Sequence, residues 1–464
     1  MFDILLTSDE QGPLYIQLYR HIRGLIQRGA IPDGTKLPSI RALSQQIHFS
    51  KNTIETAYQM LIEEGYVISK PRSGLYVVAP LLLQTNTNQH AFNLSQNTNE
   101  KALQSPYAPI DFSLLETDSE SFPLQAWKAC LNESFNYNSC RIHQYGDYKG
   151  EYALRLQIAH YLKQSRGVTC SPEQILVGTG MSNSLHLLSK LIGQSARVAF
   201  EKNAIAQVGD LFSQNGYTVV SFPLNENLSI TEIMPGNIDA VYVTPSHRPS
   251  GNHLSYAIRQ ELIHWAYHNQ SHIIEDDYDG EFRHAGKTIP SLQGLDPHGV
   301  VIYIGTFSKA FTPALRMNYM VLPPQLLPKL QSMERTLSSP SRLDQLAMAL
   351  FMERGHWYRH IRKMRNTYRK KHERMLQLIH THLGSHVQIE SGGAGLHIEL
   401  TVNRTCSAEE LKELAHAKGV RVYSSQQPEL VPNNKKPKIY LGFGGITIKD
   451  MERGIPLLKE AWIR

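Results

Sequence analysis

A short run in the second half of the chain places the strongest constraint on its fold. The apolar segment 300–304 has the composition of a buried β-strand, and it is followed by Thr306, Ser308, Lys309 and Arg316. A lysine amine, two hydroxyls and a guanidinium therefore gather just beyond one strand end. This combination suits a Schiff base to an aldehyde that also carries a phosphate.

A second apolar segment, 271–274, leads into Glu275, Asp276, Asp277 and Tyr278. In an open α/β sheet, ligands bind at the carboxyl ends of strands. Pyridoxal 5'-phosphate fits both segments, because a carboxylate at Asp276 can keep its pyridine nitrogen protonated and a phenol at Tyr278 can bond its 3'-oxygen. The alternative is that the acids cap a helix and Lys309 is a surface lysine. The order and spacing of the two segments favour the cofactor site.

A glycine-containing turn lies upstream of both. The strand-like residues 174–177 precede Gly178-Thr179-Gly180-Met181-Ser182, and a helical pattern follows. Backbone N–H groups at such a helix start can hold a phosphate dianion. With these three elements in order, the chain resembles the fold-type I pyridoxal phosphate enzymes of the aspartate aminotransferase superfamily over roughly residues 110–464. The resemblance implies an α/β fold, with a large, mostly parallel sheet and a smaller α+β domain at about 335–464.

The resemblance also implies a role for individual residues. Lys309 falls on the catalytic position and forms an internal aldimine with the cofactor, while Arg316 falls on a phosphate position. Tyr145 resembles the residue that reaches the phosphate of a neighbouring subunit, which implies a homodimer. The positions assigned to the cofactor are Gly180, Met181, Ser182, Ile205, His247, Arg248, Asp276, Tyr278, Thr306, Ser308, Lys309, Arg316 and Tyr145.

The N-terminal stretch has a different pattern. Apolar spacing predicts a helix over 14–28, and two short helices, 39–47 and 50–64, follow at helix-turn-helix spacing. Residues 65–78 alternate like a β-hairpin with a basic tip, which is typical of a winged-helix wing. The polar start of the second short helix is the expected recognition surface in a DNA major groove.

This block is similar to the GntR-type winged-helix DNA-binding domain, in which a Leu-Pro-Ser-x-Arg segment recurs. Lys51 stands where the family usually has an arginine, a change that a phosphate contact tolerates better than a bidentate contact to guanine. A small protein-interaction module is the alternative, but it does not explain basic residues at both the helix start and the wing. The residues predicted to contact double-stranded DNA are Ser39, Arg41, Ser50, Lys51, Asn52, Thr53, Lys70 and Arg72.

A GntR winged helix fused to an aminotransferase-like domain is the architecture of the MocR/GabR regulators. The expected domains are a DNA-binding domain at 1–78, a flexible linker at 79–109, rich in Asn, Gln, Thr and Ser, and a cofactor-binding effector domain at 110–464. The resemblance implies a regulator whose DNA binding is switched by an amine or amino-acid effector, or by pyridoxal phosphate itself. The alternative is an active aminotransferase that carries a DNA-binding appendage.

Three departures from the aminotransferase pattern concern the effector. Ile205 stands where related domains stack an aromatic ring on the cofactor. His247 and Arg248 lie in a turn one residue shorter than usual, where a ligand to the 3'-oxygen is expected. Tyr440 stands where aminotransferases place an arginine that clamps the substrate carboxylate. We therefore expect poor transamination of ordinary L-amino acids, unless Arg248 or Arg421 replaces the clamp.

Global properties agree with this reading without deciding it. The net charge of +6 permits DNA binding, and the four cysteines show no C-x-x-C pair. No signal peptide or long apolar run is seen, so a cytoplasmic protein without membrane contact is expected. The i, i+4 histidine pairs 264/268 and 356/360 lack an acidic third ligand, so no metal site is predicted.

A strongly basic helix is predicted over 354–374. Such a run is usually a solvated helix face, and the alternative is a helix that lies near bound DNA or packs against an acidic surface.

Overall fold

The computed structural model describes residues 13–71, 73–78, 110–137, 143–193, 195–201, 206–224, 229–234, 236–246, 254–283, 290–390, 395–424 and 436–463. The chain divides into two compact units, Met1–Gln104 and Ser105–Arg464. No helix among the described residues is both long and apolar enough to span a membrane.

The described residues of the first unit, 13–71 and 73–78, form three helices and a hairpin. Its elements are α1 (Leu14–Gln27), α2 (Ile40–Ile47), α3 (Lys51–Glu63), β1 (Val67–Lys70) and β2 (Gly74–Val77). Ser39 and Ser50 cap α2 and α3, because their hydroxyls accept hydrogen bonds from the backbone N–H groups of Ala42 and Thr53. His48 ends α2 in the left-handed conformation and turns the chain toward α3. These elements confirm the predicted helix-turn-helix and wing.

The core of this unit comes from the apolar stripes of its helices. Leu18 and Ile22 of α1 pack with Leu43 of α2 and Leu61 of α3, and all four are fully buried. β1 and β2 pair antiparallel, so Val67 lies opposite Val77 on the buried side of the hairpin. The polar sides of α2, α3 and the wing remain exposed as a result.

The second unit alternates helices and strands. Its strands are β3 (Ile110–Asp111), β4 (Ile175–Gly178), β5 (Arg197–Glu201), β6 (Thr218–Phe222), β7 (Ala240–Val243), β8 (His272–Asp277), β9 (Val301–Thr306), β10 (Asn318–Val321), β11 (Val387–Ile389), β12 (His397–Val402), β13 (Val420–Arg421) and β14 (Lys438–Gly442). Its helices are α4 (Leu124–Tyr137), α5 (Tyr152–Arg166), α6 (Met181–Ile192), α7 (Ala206–Gln214), α8 (Ile230–Ile233), α9 (Tyr256–His268), α10 (Leu292–Leu295), α11 (Leu327–Ser332), α12 (Arg342–Glu353), α13 (His356–His382), α14 (Ala408–Ala417) and α15 (Ile448–Trp462).

A seven-stranded sheet organises this unit, with the strand order β4-β10-β9-β8-β7-β5-β6. The pairs among β9, β8, β7, β5 and β6 are parallel, and β10 runs antiparallel to both β9 and β4. Strands β4 and β7 are apolar over most of their length, and β8 is buried over most of its length, because helices cover both faces of such a sheet. The predicted α/β fold with a mostly parallel sheet is confirmed.

The C-terminal part contains a three-stranded antiparallel sheet, β11-β12-β14, together with α13, α14 and α15. A second small sheet joins distant parts of the chain, since β3 pairs in parallel with β13. The first strand of the unit therefore lies within its C-terminal part, a pairing that the sequence did not reveal.

Candidate functional site

The predicted site residues at the ends of β4, β8 and β9 lie at one edge of the seven-stranded sheet. In the ladder between β8 and β9, Asp276 lies opposite Ile304. Asn318, the first residue of β10, lies opposite both Gly178 of β4 and Thr306 of β9. The carboxyl ends of β4, β8 and β9 therefore meet at this edge, as expected for a ligand site in an open sheet.

Lys309 lies in the turn after β9. Its Nζ donates hydrogen bonds to the backbone oxygens of Leu114 (2.7 Å) and Leu115 (3.2 Å). Burial lowers the pKa of the Lys309 ammonium below its ordinary value, and the charge of Asp279 opposes this effect. A lysine with a lowered pKa has more of the free amine at neutral pH, which is the form that attacks an aldehyde.

Asp276 is buried near the end of β8. The hydroxyl of Tyr242, on neighbouring β7, donates a 2.5 Å hydrogen bond to its Oδ2. Burial raises the pKa of Asp276 to about 7, and the Tyr242 bond opposes that rise. A carboxylate this deeply buried is stabilised by a cationic partner, and a protonated pyridine nitrogen is one. Tyr278 follows two residues later, and burial raises its pKa, so the phenol stays protonated.

An anion-binding turn lies at the start of α6. Gly180 precedes the helix with φ at 128°, a conformation that favours glycine, and a Cβ there would lie 3.1 Å from Nη2 of Arg316. Arg316 forms no ion pair with any described residue. The N-terminus of α6 is exposed, with Met181 and Ser182 in its first turn. Its backbone N–H groups and the Arg316 guanidinium can thus bind the same phosphate.

Asn318 orients this turn, and the sequence analysis did not identify it. Its Oδ1 accepts a 3.0 Å hydrogen bond from the N–H of Gly180, and its Nδ2 donates to Ser184 Oγ at 2.8 Å. Gly178 must lack a side chain because a Cβ would lie 2.7 Å from Asn318 Oδ1. In the sequence, the only signal that could have identified Asn318 was its position as a single amide residue at the start of an apolar strand.

The three acids of β8 have separate roles, and strand alternation places Asp276 on the opposite side of the sheet from Glu275 and Asp277. Glu275 accepts hydrogen bonds from the backbone N–H groups of Leu292 (2.8 Å) and Gln293 (2.9 Å) at the start of α10. The helix-capping alternative is therefore correct for Glu275. Asp277 pairs with buried Arg166, with its Oδ2 2.6 Å from Nε of the arginine.

The Arg166–Asp277 pair belongs to a buried network behind the site. Asp277 also accepts hydrogen bonds from Tyr303 (2.7 Å) and Ser246 (2.8 Å). Three donors satisfy this carboxylate, which allows it to stay charged in the interior. The network fixes the end of β8 and thereby the backbone of Asp276.

Glu281 provides a test of the electrostatics of this region. It accepts a 3.1 Å hydrogen bond from Tyr161, and burial raises its pKa to about 7 from an ordinary 4.5. The folded protein is therefore more stable while the Glu281 carboxyl is neutral, and this part of the free energy of unfolding is lost as the pH rises through 7. Glu281→Gln stays neutral and keeps the acceptor. We expect it to match wild type near pH 5 and to exceed it at pH 8 by on the order of 1–3 kcal/mol.

Thermal unfolding midpoints of wild type and Glu281→Gln at the two pH values measure this effect. Glu413→Gln, at an exposed position of α14, is the control and should change neither midpoint. An equal difference between Glu281→Gln and wild type at both pH values would contradict the assigned pKa.

The remaining predicted cofactor residues fall into three groups. Thr306 and Ser308 lie in the Lys309 turn, where Thr306 Oγ1 accepts a 3.1 Å hydrogen bond from the N–H of Ser308. The side chain of Tyr145 is fully exposed in the single chain. The assignments of Ile205, His247 and Arg248 lie outside the described residues.

Tyr440, at the predicted arginine position, lies on β14. It hydrogen-bonds with buried Glu399, and burial raises the pKa of Tyr440 above its ordinary value. Glu399 also pairs with Lys438. Arg421 pairs with Asp111 at 3.3 Å. Tyr440, at the predicted arginine position, and Arg421, which was considered as a replacement for the clamp, thus both contact acids.

The predicted DNA-contacting residues lie on the exposed side of the first unit. Ser39, Arg41, Ser50, Lys51, Asn52 and Lys70 are exposed, and Thr53 is half-buried. The Lys70 amine lies 4.5 Å from the centre of the Tyr76 ring, a cation–π contact that holds the side chain on the wing. Arg72 lies outside the described residues.

Comparison with known proteins agrees with both units. The family "Aminotransferase class I and II" matches residues 113–435, and "Bacterial regulatory proteins, gntR family" matches residues 14–77. The chain is 39% identical over 459 residues to the HTH-type transcriptional regulator YdeL of Bacillus subtilis, with 97% of each chain covered. It is 29% identical over 477 residues to the probable rhizopine catabolism regulatory protein MocR of Rhizobium meliloti, covering 99% of this chain and 96% of that protein.

Solved structures share the fold of the second unit. The kynurenine aminotransferase of Pyrococcus horikoshii aligns with a TM-score of 0.68 at 20% identity, over 80% of this chain and 98% of that chain. The fold and the site thus define an aminotransferase-type pyridoxal phosphate protein with a DNA-binding unit. The chain belongs to the MocR/GabR-type transcriptional regulators, in which a GntR winged helix is fused to an aminotransferase-like domain.

Proposed function

We propose that this protein is a cytoplasmic transcriptional regulator in which residues 1–78 read an operator, 79–109 form a linker, and 110–464 bind pyridoxal phosphate and an effector. The observation that carries the proposal is the convergence of Lys309, Asp276 and the Gly180–Arg316 turn at one sheet edge. This site occurs in a chain whose other unit exposes a recognition helix and a wing.

The residues at the sheet edge fit pyridoxal phosphate. Asp276 would hold the pyridine nitrogen, Tyr278 the 3'-oxygen, and the start of α6 with Arg316 the phosphate. When bound, the cofactor supplies an aldehyde that can be exchanged between amines and a ring that withdraws electrons. Lys309 contributes an amine of lowered pKa, and the Tyr242 hydroxyl donates a hydrogen bond to Asp276. Asn318 and the Arg166–Asp277 pair keep these groups in place.

The first unit would place the start of α3 in the major groove. Ser50 caps this helix, so its exposed N-terminal residues Lys51 and Asn52 are held on a rigid element. Arg41 in α2 and Lys70 in the wing would contact phosphates on either side. A homodimer would present two such units to a repeated or palindromic operator. The full exposure of Tyr145, assigned by resemblance to the neighbour's cofactor, supports that assembly.

DNA binding through this surface can be tested by neutralising two of its cations. The variant Arg41→Ala/Lys51→Ala is expected to weaken binding to a mixed-sequence duplex about tenfold or more. The slope of log affinity against log salt should become shallower by about 1.8, since each lost phosphate contact accounts for about 0.9. Fluorescence anisotropy of labelled DNA over a range of salt concentrations measures both quantities.

The control for this experiment removes the same charge from the same unit. Arg20→Ala/Arg28→Ala changes two exposed cations at α1, away from the helix-turn-helix. It should leave the salt slope close to that of wild type. Equal losses in the two variants would show that net charge, and not the recognition surface, governs binding. A wild-type protein that does not bind DNA would refute the proposed function.

Two regulatory models follow from the site. In the first, an amine-bearing effector would compete with the Lys309 amine for the site, and the second unit would change conformation. In the second, occupancy of Lys309 by pyridoxal phosphate is itself the signal. Both require that the ligand binds two conformations with different affinity. The acid-bound Tyr440 and Arg421 favour an effector that does not depend on a carboxylate clamp at this end of the site.

Titration of the cofactor-loaded protein with amines and with L- and D-amino acids distinguishes the models. A change in the visible spectrum with one amine, accompanied by a change in DNA affinity, supports the effector model. DNA affinity that follows added pyridoxal phosphate alone, with a spectrum unmoved by amines, supports cofactor sensing.

A further inference from the structure

We propose that His360, on the buried side of α13, is a positioning residue for Lys309, because it holds the turn from which the lysine amine would meet the cofactor. His360 is 4% exposed, and its Nε2 lies 2.8 Å from the backbone oxygen of Ala310, the residue after Lys309. The two bonded residues are 50 positions apart in the chain. This role rests on the proposed cofactor site and adds to it a side chain from a later helix.

The contact with Ala310 fixes the state of the imidazole ring. A backbone carbonyl can only accept a hydrogen bond, so Nε2 of His360 carries a hydrogen and donates it to Ala310. Burial lowers the pKa of His360 below its ordinary value, and the bond to Ala310 opposes this effect. The ring is therefore neutral at neutral pH, with an unprotonated Nδ1.

The second ring nitrogen argues against a role in packing alone. Among the described residues, none forms a hydrogen bond with the buried Nδ1 of His360. A buried polar atom without a partner destabilises the folded state, and such an exception calls for a specific explanation. A leucine or a methionine would fill this core position without an unpaired nitrogen. Both would lack the donor to Ala310, which is therefore the distinctive contribution of the histidine.

The turn that accepts this hydrogen bond carries Lys309 between two aromatic residues. Phe307 and Phe311 are both buried, and the N–H of Phe311 donates a 2.7 Å hydrogen bond to the backbone oxygen of Phe307. That bond closes a single helical turn around Lys309. The backbone oxygen of Ala310 takes no part in it and is bound by His360 instead. The main chain is thus held on both sides of the lysine.

The same side of α13 packs against both aromatic residues of the turn. The ring centroids of Trp357 and Phe307 lie 5.4 Å apart, and those of His360 and Phe311 lie 5.5 Å apart. Both pairs have the edge-to-face geometry that aromatic rings prefer. Trp357 and His360 are three residues apart, so they are neighbours on one face of the helix. This face therefore supports the turn through two ring contacts and one hydrogen bond.

A fixed turn matters because the amine of Lys309 ends a flexible four-carbon stem. The backbone direction at Lys309 determines where Nζ can reach, and in this structure Nζ donates to the backbone oxygens of Leu114 and Leu115. A misplacement of about 1 Å can slow a reaction about a hundredfold. His360 would act on the amine only through the backbone of Ala310, so its loss should affect reaction of the amine more than binding of the cofactor's ring and phosphate.

Replacing His360 in the full-length protein separates these two effects. His360→Leu removes the donor and keeps a side chain of similar size. After mixing with pyridoxal phosphate, we expect its visible band to appear about tenfold or more slowly than that of wild type, as measured by stopped-flow absorbance. Pyridoxine 5'-phosphate has an alcohol in place of the aldehyde. Its affinity, measured by calorimetry, should stay close to the wild-type value, because Asp276 and the Gly180–Arg316 turn are unchanged.

Two further substitutions at the same position test the donor itself. His360→Gln returns an N–H donor near the position of Nε2 and should recover most of the wild-type rate. His360→Asn has an amide one carbon shorter, which does not reach Ala310, and should remain slow. The comparison of these two polar variants decides the question if His360→Leu does not fold, as judged from the thermal unfolding midpoints of the cofactor-free proteins.

His372→Leu is the matched control. His372 is also buried on α13, but its ring lies 5.6 Å from that of Phe443, about three helical turns beyond His360. This variant should form the visible band at the wild-type rate. An equal slowing in His372→Leu would overturn the proposal, because any change in the buried side of the helix would then have the same effect.

Two other results would also overturn the positioning role. One is a wild-type rate in His360→Leu or His360→Asn. The other is a loss of affinity for pyridoxine 5'-phosphate as large as the loss of rate, since the substitution would then have damaged the whole site. Absence of a visible band in the wild type would instead remove the proposed cofactor site, whatever the His360 variants do.

Discussion

Replacing Lys309 with alanine is expected to abolish the visible absorbance band that appears when pyridoxal phosphate is added to the protein. Lys309 follows β9 at the sheet edge where β8 and β4 also end, and burial lowers its pKa. Without its amine, the aldehyde has no group at the site with which to combine. Absorbance titration of the two purified proteins measures the effect.

Lys329→Ala is the matched control. The amine of Lys329 donates a 3.0 Å hydrogen bond to the backbone oxygen of Leu191, far from the sheet edge where the site lies. This variant should retain the full band. A band of wild-type strength in Lys309→Ala would show that the cofactor binds elsewhere, and it would refute the site.

The second large effect concerns the buried pair behind the site. Arg166→Ala is expected to lower the free energy of unfolding by about 3–5 kcal/mol, because it leaves the Asp277 carboxylate buried without its cationic partner. The loss should be accompanied by weaker cofactor binding, since the pair fixes the end of β8 that carries Asp276. Urea unfolding, followed by circular dichroism, measures the stability change.

The double variant Arg166→Met/Asp277→Asn separates loss of the pair from exposure of a lone charge. It removes both charges and fills part of the vacated volume, so it should recover much of the stability lost in Arg166→Ala. A double variant as unstable as the single one would show that packing of the Arg166 side chain, and not its charge, stabilises this region.

The correct predictions came from features that are local in the chain. Lys309, Asp276 and Gly180 each follow an apolar run of strand length, and the edge of an open sheet collects such positions whichever strands are neighbours. The helix-turn-helix was equally predictable, because capping serines and a 3.6-residue apolar period lie within a few residues of one another. The sequence by itself therefore determined the class of fold and the cofactor, and it predicted that the proposed site residues follow strand ends.

Only the tertiary structure decided which partner each of these residues has. The Tyr242–Asp276 and Asn318–Gly180 hydrogen bonds, and the Arg166–Asp277 ion pair, join residues far apart in the chain. It also distinguished Glu275, which caps α10, from Asp276 one residue later. A local pattern carries no information about such pairs, because their energy depends on burial and on strand order, and both exist only once the sheet has formed.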